Sequence, residues 1–144
     1  MSIQRSATAV WNGSLKNGYG RIGTESATLA NAPYTFATRF ETGAKGTNPE
    51  ELIGAAHAGC FTMMTTALLG AAGFTADKLD TKATVTVEQV AGAWTITKVA
   101  LVMQAVVPGI TAEKFAEIVK SAEVQCPVSR VLKAEISLDA KLVA

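Results

Sequence analysis

Three features of the 144-residue sequence predict an α+β domain, an antiparallel β-sheet packed on one long central hydrophobic helix. Stretches of alternating apolar and polar residues stand near both ends and past the middle of the chain. Between them runs an apolar segment from Leu52 to Phe74 that opens on a helix cap. No repeat, linker or low-complexity tract interrupts the order, so residues 1–144 are read as a single domain.

The elements follow in turn. Ser6 to Trp11 alternates as a strand, Asn12-Gly13 is a turn signal, and Leu15 to Thr24 is a second strand loosened by Gly18, Gly20 and Gly23. After the turn residues Asn31-Ala32-Pro33, a third extended piece is predicted from Tyr34 to Glu41, which puts Arg39 in mid-strand. Asn48 then caps a helix with Pro49 at its first position and Glu50 and Glu51 in its first turn, where carboxylates oppose the positive end of the helix dipole. The helix should run to about Ala71 and close at Gly73. Lys82 to Val90 and Trp94 to Gln104 alternate on either side of Ala91-Gly92-Ala93, a β-hairpin. Thr111 opens an amphipathic helix with Phe115, Ile118 and Val119 on its apolar stripe. A short helix begins at Cys126-Pro127, and Ala134 to Leu142 is a closing strand with Ile136, Leu138 and Ala140 turned inward.

Composition narrows the classes. Hydrophobic residues make up 49% and charged residues 17%, whereas soluble domains usually carry roughly 25% charge. So little charge leaves apolar surface to be covered by a second copy of the chain, which predicts a homodimer. A net charge of +1 gives no basic stripe for nucleic acid. The first twenty residues carry no apolar block behind a basic start, so no secretory signal is read, and the chain is assigned to the cytoplasm. The apolar run is broken by glycines, threonines and His57 and is read as a buried helix rather than a membrane span. With two cysteines, no CxxC and one histidine, neither a metal site nor a cofactor is predicted.

Cys126 and Cys60 differ in setting. Cys126 precedes a proline at a helix start, where backbone N–H groups favour a thiolate. Cys60 lies among Ala, Gly and Phe inside the long helix, where desolvation raises its pKa unless a cation is brought to it. From local sequence alone, both also fit as small buried hydrophobes.

Four blocks then carry a resemblance: T-R-F at Thr38 to Phe40, K-G-T-N-P-E-E-L-I at Lys45 to Ile53, A-A-H-A-G-C-F at Ala55 to Phe61, and C-P-V-S-R-V-L-K-A-E-I at Cys126 to Ile136. Their order and spacing closely resemble the OsmC family of the OsmC/Ohr superfamily. The resemblance implies an intertwined homodimer that reduces organic hydroperoxides through thiols and is recycled by an external dithiol, of the lipoyl kind in that family. By the same resemblance, Cys60 matches the peroxidatic cysteine, Cys126 the resolving cysteine, and Arg39 and Glu50 the activating pair. Gly59, where many relatives have alanine, is a departure that removes no functional group.

That assignment makes the mid-helix cysteine the attacker, which the physics accommodates if Arg39 reaches its sulfur and Glu50 orients the guanidinium. Glu50 and Cys60 are ten positions apart, about 15 Å along an unbroken helix. Either the helix bends near Gly54 or Gly59, or the partner chain supplies Glu50 across a two-fold axis, the arrangement favoured here. His57 is read as a proton shuttle or, with more weight, a structural histidine satisfied by a backbone group. Glu51 is assigned to the helix dipole and Arg130 to a surface ion pair. Phe36, Phe61, Met63, Met64 and Phe74 are candidates for an apolar substrate pocket, with core packing as the default. A second class of function stays open: a non-enzymatic dimeric module that binds an apolar ligand.

Overall fold

In the computed structural model, which describes residues 1–143, the first strands are Ala7–Asn12 (β1) and Tyr19–Thr24 (β2), paired antiparallel, with Ala32–Tyr34 (β3) added antiparallel to β2. Gly20 is required here. It pairs with Trp11 on one side and Tyr34 on the other, and a side chain on it would strike both rings, which meet edge-on at 5.3 Å.

The predicted third strand stops at Tyr34. From Phe36 to Phe40 the chain is a helix, α1, so Arg39 sits in a last helical turn and not in mid-strand. The alternation of Phe36, Thr38 and Phe40 suits either state; the caps decide. Thr38 donates its N–H to the Thr35 hydroxyl (3.2 Å) while Thr35 donates its N–H to the Thr38 hydroxyl (2.8 Å), a reciprocal box that satisfies two otherwise orphaned donors. Phe36 and Phe40 then stack one turn apart at 4.9 Å.

The long helix, α2, spans Pro49–Ala71 as the sequence predicts. Asn48 caps it twice over, accepting the Glu51 N–H at 2.8 Å and donating its amide to the Thr38 carbonyl at 3.0 Å. Gly73 ends it with φ +86, and Phe74 returns its N–H to the Leu69 carbonyl at 2.9 Å. The chain divides into two compact units, Met1–Leu52 and Ile53–Ala144. α2 contributes its first turn to the former and the rest to the latter.

In the second unit, Lys78–Val90 (β4) and Ala93–Val106 (β5) form the hairpin, longer at its open end than predicted, turned by Ala91 and Gly92 at φ +50 and +82. Ala112–Gln125 (α3) follows, capped by Thr111, then Pro127–Val131 (α4) and Glu135–Leu142 (β6). β6 pairs with β5 in parallel, from Lys98↔Glu135 to Ala105↔Leu142. The expected single antiparallel sheet is therefore two three-stranded sheets, and the second is mixed. Two intervening helices carry the chain back to the starting edge, which is the connection a parallel pair needs.

The hydrophobic core lies in this unit. Val99, Leu101, Met103 and Ala105 of the central strand, Phe115, Ile118, Val119 and Ala122 of α3, and Phe61 and Leu69 of α2 are all buried together. Each of the larger ones, the Val, Leu, Ile, Met and Phe side chains, contributes about 1.5–3 kcal/mol when fully buried. The buried stripe of α2 runs His57, Phe61, Thr65, Leu69, while Ala55, Gly59, Met63 and Ala67 are exposed. By length and composition α2 is apolar enough to cross a membrane, with mean hydropathy 1.4. The glycines and threonines thus do not by themselves exclude a span; the packing of its other face on the core supports the buried-helix reading.

Candidate active site

The four side chains expected at the site are assembled as two pairs, each within one unit. In the first unit, α1 presents Arg39 and the first turn of α2 presents Glu50. The guanidinium grips the carboxylate as a fork, with Nη2 donating to Oε1 at 2.7 Å and Nε donating to Oε1 and Oε2 at 3.2 Å each. Such two-pronged, charge-assisted contacts fix orientation as well as distance. The Glu50 side chain is 11% exposed and the Arg39 side chain 39%, so the pair is half-sheltered with one flank of the cation open. Arg39 also lies 5.4 Å from the centre of the Phe40 ring, a cation–π contact that limits its swing.

The loop before α2 is held by the same local chemistry. Thr47 donates its N–H to the Pro33 carbonyl at 2.9 Å. Gly46, at φ +141, lies so close to the Pro33 carbonyl and the Thr38 methyl that any side chain would clash. The K-G-T-N-P block therefore seats Glu50 under Arg39.

In the second unit, the middle of α2 presents Cys60 and the start of α4 presents Cys126. Both are free thiols, with Cys126 fully buried and Cys60 partly so. Cys126 donates its thiol hydrogen to Cys60 Sγ at 3.0 Å. Burial pushes the Cys60 thiol above its ordinary pKa, and the hydrogen bond with Cys126 and the charge on that neighbour push the same way. A backbone N–H donated by Val128 opposes the rise without cancelling it. Desolvation of a mid-helix thiol, as read from the sequence, is thus the leading effect.

Beside the thiols lies a feature the sequence reading assigned differently. His57 is completely buried, and its partner is the Ser129 side chain, Nε2 to Oγ at 2.7 Å, and not a backbone group. Its Nδ1 has no partner, and burial holds the ring below its ordinary pKa. The signal was present in the sequence as A-H-A one turn before Cys60 and C-P-V-S after Cys126, but nothing local joins the two.

Other assignments sort themselves. Glu51 stays in the first turn of α2 beside Asn48, and Arg130 is exposed with no ion pair found among the described residues. Of the pocket candidates, Phe61 is core, Met63 is 76% exposed, Met64 packs on the core, and Phe74 lines a cleft of about 340 Å³ with Thr62, Thr66 and Leu79. These four do not converge on one pocket. Among the described residues no cluster of His, Cys, Asp or Glu is suited to a metal.

The family model for OsmC-like proteins matches residues 42–141. The chain belongs to the OsmC family. It is 52% identical over 142 residues to Peroxiredoxin OsmC of Escherichia coli (strain K12), covering 99% of each chain. Its fold matches the organic hydroperoxide resistance protein OhrB of Bacillus subtilis with a TM-score of 0.74 at 24% identity, covering 94% of this chain and 98% of that one. An OsmC-like protein of unknown function from Vibrio cholerae superposes with a TM-score of 0.79 at 14% identity, over 97% of this chain and 100% of that one. The departure at Gly59 is sterically mild, since an added methyl there meets nothing within 4 Å in the chain.

Proposed function

We propose that this OsmC-family chain is a cysteine-based peroxidase that reduces organic hydroperoxides to alcohols, with both units acting as one domain. The observation that carries the reading is the pair of free thiols at 3.0 Å, Cys60 from the middle of α2 and the buried Cys126 from the start of α4. The Cys60 thiolate attacks the distal oxygen of the hydroperoxide, the O–O bond breaks, and the alkoxide takes a proton to leave as alcohol. Cys60 is left as a sulfenic acid. The Cys126 sulfur then attacks Cys60 Sγ, the S–O bond breaks, and the hydroxide leaves with the Cys126 proton as water. An external dithiol, of the lipoyl kind by family likeness, reduces the resulting disulfide. A cytoplasmic setting, where such thiols stay reduced, suits this cycle.

A buried thiol with a raised pKa needs a cation. Arg39, held by the Glu50 fork, is suited both to favour the thiolate and to stabilise the departing alkoxide. α2 runs from Pro49 to Ala71 with no break at Gly54 or Gly59, which favours the arrangement that does not rely on a bend between Glu50 and Cys60. The pair that serves each Cys60 is accordingly assigned to the partner subunit in an intertwined homodimer. The bare surfaces support a second copy: Val10, Leu15 and Tyr19 of the first unit are more than half exposed (58%, 66% and 54%), and none of the buried apolar core belongs to that unit.

The test is the intact mass of the protein after cumene hydroperoxide is added without dithiol. A Cys60–Cys126 disulfide, with one equivalent of hydroperoxide consumed, is the expected result. No consumption and no disulfide would reject the enzyme in favour of a ligand-binding module. Mixed dimers of Glu50→Ala and Cys60→Ser chains should recover one working site; no recovery would reject the shared-site arrangement.

A further inference from the structure

The Cys60–Cys126 contact has a neighbouring rung. Three residues before Cys60 on α2 stands His57, and three residues after Cys126 stands Ser129, and these two are joined by the 2.7 Å bond from ring to hydroxyl. His57 and Cys60, three apart on α2, share a face, Cys126 caps the short helix that carries Ser129, and Val128 N–H reaches Cys60 Sγ from the same stretch of α4, so the two rungs join the same two segments. The bond spans 72 residues of sequence and is buried on both sides, with His57 at 0% and Ser129 at 8% exposure.

Core packing does not account for this histidine. A leucine or phenylalanine would fill the space without leaving Nδ1 buried and unpartnered, a defect that costs free energy. The Cys126 backbone is held by α3, through its N–H to the Ala122 carbonyl at 2.9 Å, and its side chain by the core, but the five-residue α4 has no side-chain hydrogen bond at its cap, and the bond from Ser129 to His57 is the side-chain hydrogen bond found between it and α2 among the described residues. From this geometry, and resting on the peroxidase reading above, the structure assigns His57 and Ser129 a positioning role in the resolving step. Their hydrogen bond fastens the start of α4 to α2, so that Cys126 Sγ stays within reach of the oxidised Cys60 Sγ. The first oxidation needs only Cys60 and its cation. The second step, in which the Cys60 S–O bond breaks and the S–S bond forms with release of water, needs Cys126 to arrive before a second hydroperoxide does.

Single-turnover oxidation with cumene hydroperoxide separates the steps, followed by quenched-flow mass spectrometry of the sulfenic acid, disulfide and sulfinic acid forms. Ser129→Ala is expected to leave the rate of Cys60 oxidation within about twofold and to slow disulfide formation about five- to tenfold, the loss of one net hydrogen bond. The sulfinic acid share should rise to match. Ser129→Thr, which keeps the hydroxyl, should restore the partition, a rescue that mere loss of packing would not give. His57→Phe fills the ring's space without the bond and should reproduce the Ser129→Ala partition; if Ser129→Ala fails to fold, this variant decides. Equilibration against dithiothreitol should show the disulfide of each bond-deleted variant reduced about five- to tenfold more readily. An unchanged partition in folded variants overturns the positioning role. A wild-type protein that forms no disulfide would instead overturn the peroxidase reading.

Discussion

The first turn of α2 and its middle, barely three turns apart on one helix, solve opposite electrostatic problems. At the first turn a carboxylate is sheltered, yet it meets a guanidinium on two prongs, and Asn48 ties the turn down. In the middle two thiols, an imidazole and a hydroxyl are joined by two hydrogen bonds, one ring nitrogen is left over, and burial resists ionisation of Cys60. The contrast teaches that a helix can keep a charged and an uncharged polar site with the same backbone, provided each has its own partners from another element. On the proposed roles, the attacking thiol and its activating cation belong to different partner sets, Cys60 with Cys126 and Arg39 with Glu50.

Breaking the uncharged end should have the largest effect. Cys60→Ser is expected to abolish hydroperoxide consumption by more than about a thousandfold, measured under steady state with dithiothreitol; activity carried on by Cys126 would reverse the two assignments. At the charged end, Arg39→Met should slow Cys60 oxidation by about 10²–10³-fold, the scale for losing a donor aimed at developing charge, with Glu50→Gln costing less because the guanidinium survives. Equal, small losses in both would show that the pair is only structural. The mildest changes sharpen the comparison. Thr35→Ala removes half of the α1 capping box and should cost about 1 kcal/mol in chemical denaturation, with a fall in activity smaller than that of Arg39→Met.

The uncharged end should show its own pH signature. His57 is the single histidine, and burial lowers its pKa from the ordinary 6.5. The unfolded chain therefore takes up a proton first as pH falls below 6.5, and the folded state loses stability relative to it until the buried ring also titrates. Unfolding free energy measured between pH 7.5 and pH 5, a window of about the histidine range, should decline in wild type and flatten in His57→Phe. An identical slope would mean the ring is not held neutral by burial.

How much of this was legible beforehand varies by element. The Asn48-Pro49-Glu50-Glu51 start of α2 and its Gly73 end were readable because caps act over three or four residues, within reach of local sequence. So was the α3 stripe, where Phe115, Ile118 and Val119 recur at helical spacing and are buried. The stretch around Arg39 was not, because five residues of alternating pattern suit a strand as well as a single helical turn, and only the reciprocal bonds of Thr35 and Thr38 choose. The direction of β6 was illegible too: alternation tells which side faces in, as Ile136, Leu138 and Ala140 do, but not which way the neighbour runs.

The sequence by itself determined the long helix, the thiol and carboxylates it carries, the second thiol at a helix start, the scarcity of charge and the family, since each depends on residue type and short spacing. Only the tertiary structure decided who meets whom. The Arg39 fork on Glu50, the 3.0 Å approach of Cys126 to Cys60 and the bond of Ser129 to His57 join elements distant in the chain. Such contacts are fixed by the packing of whole faces rather than by the residues on either side of them.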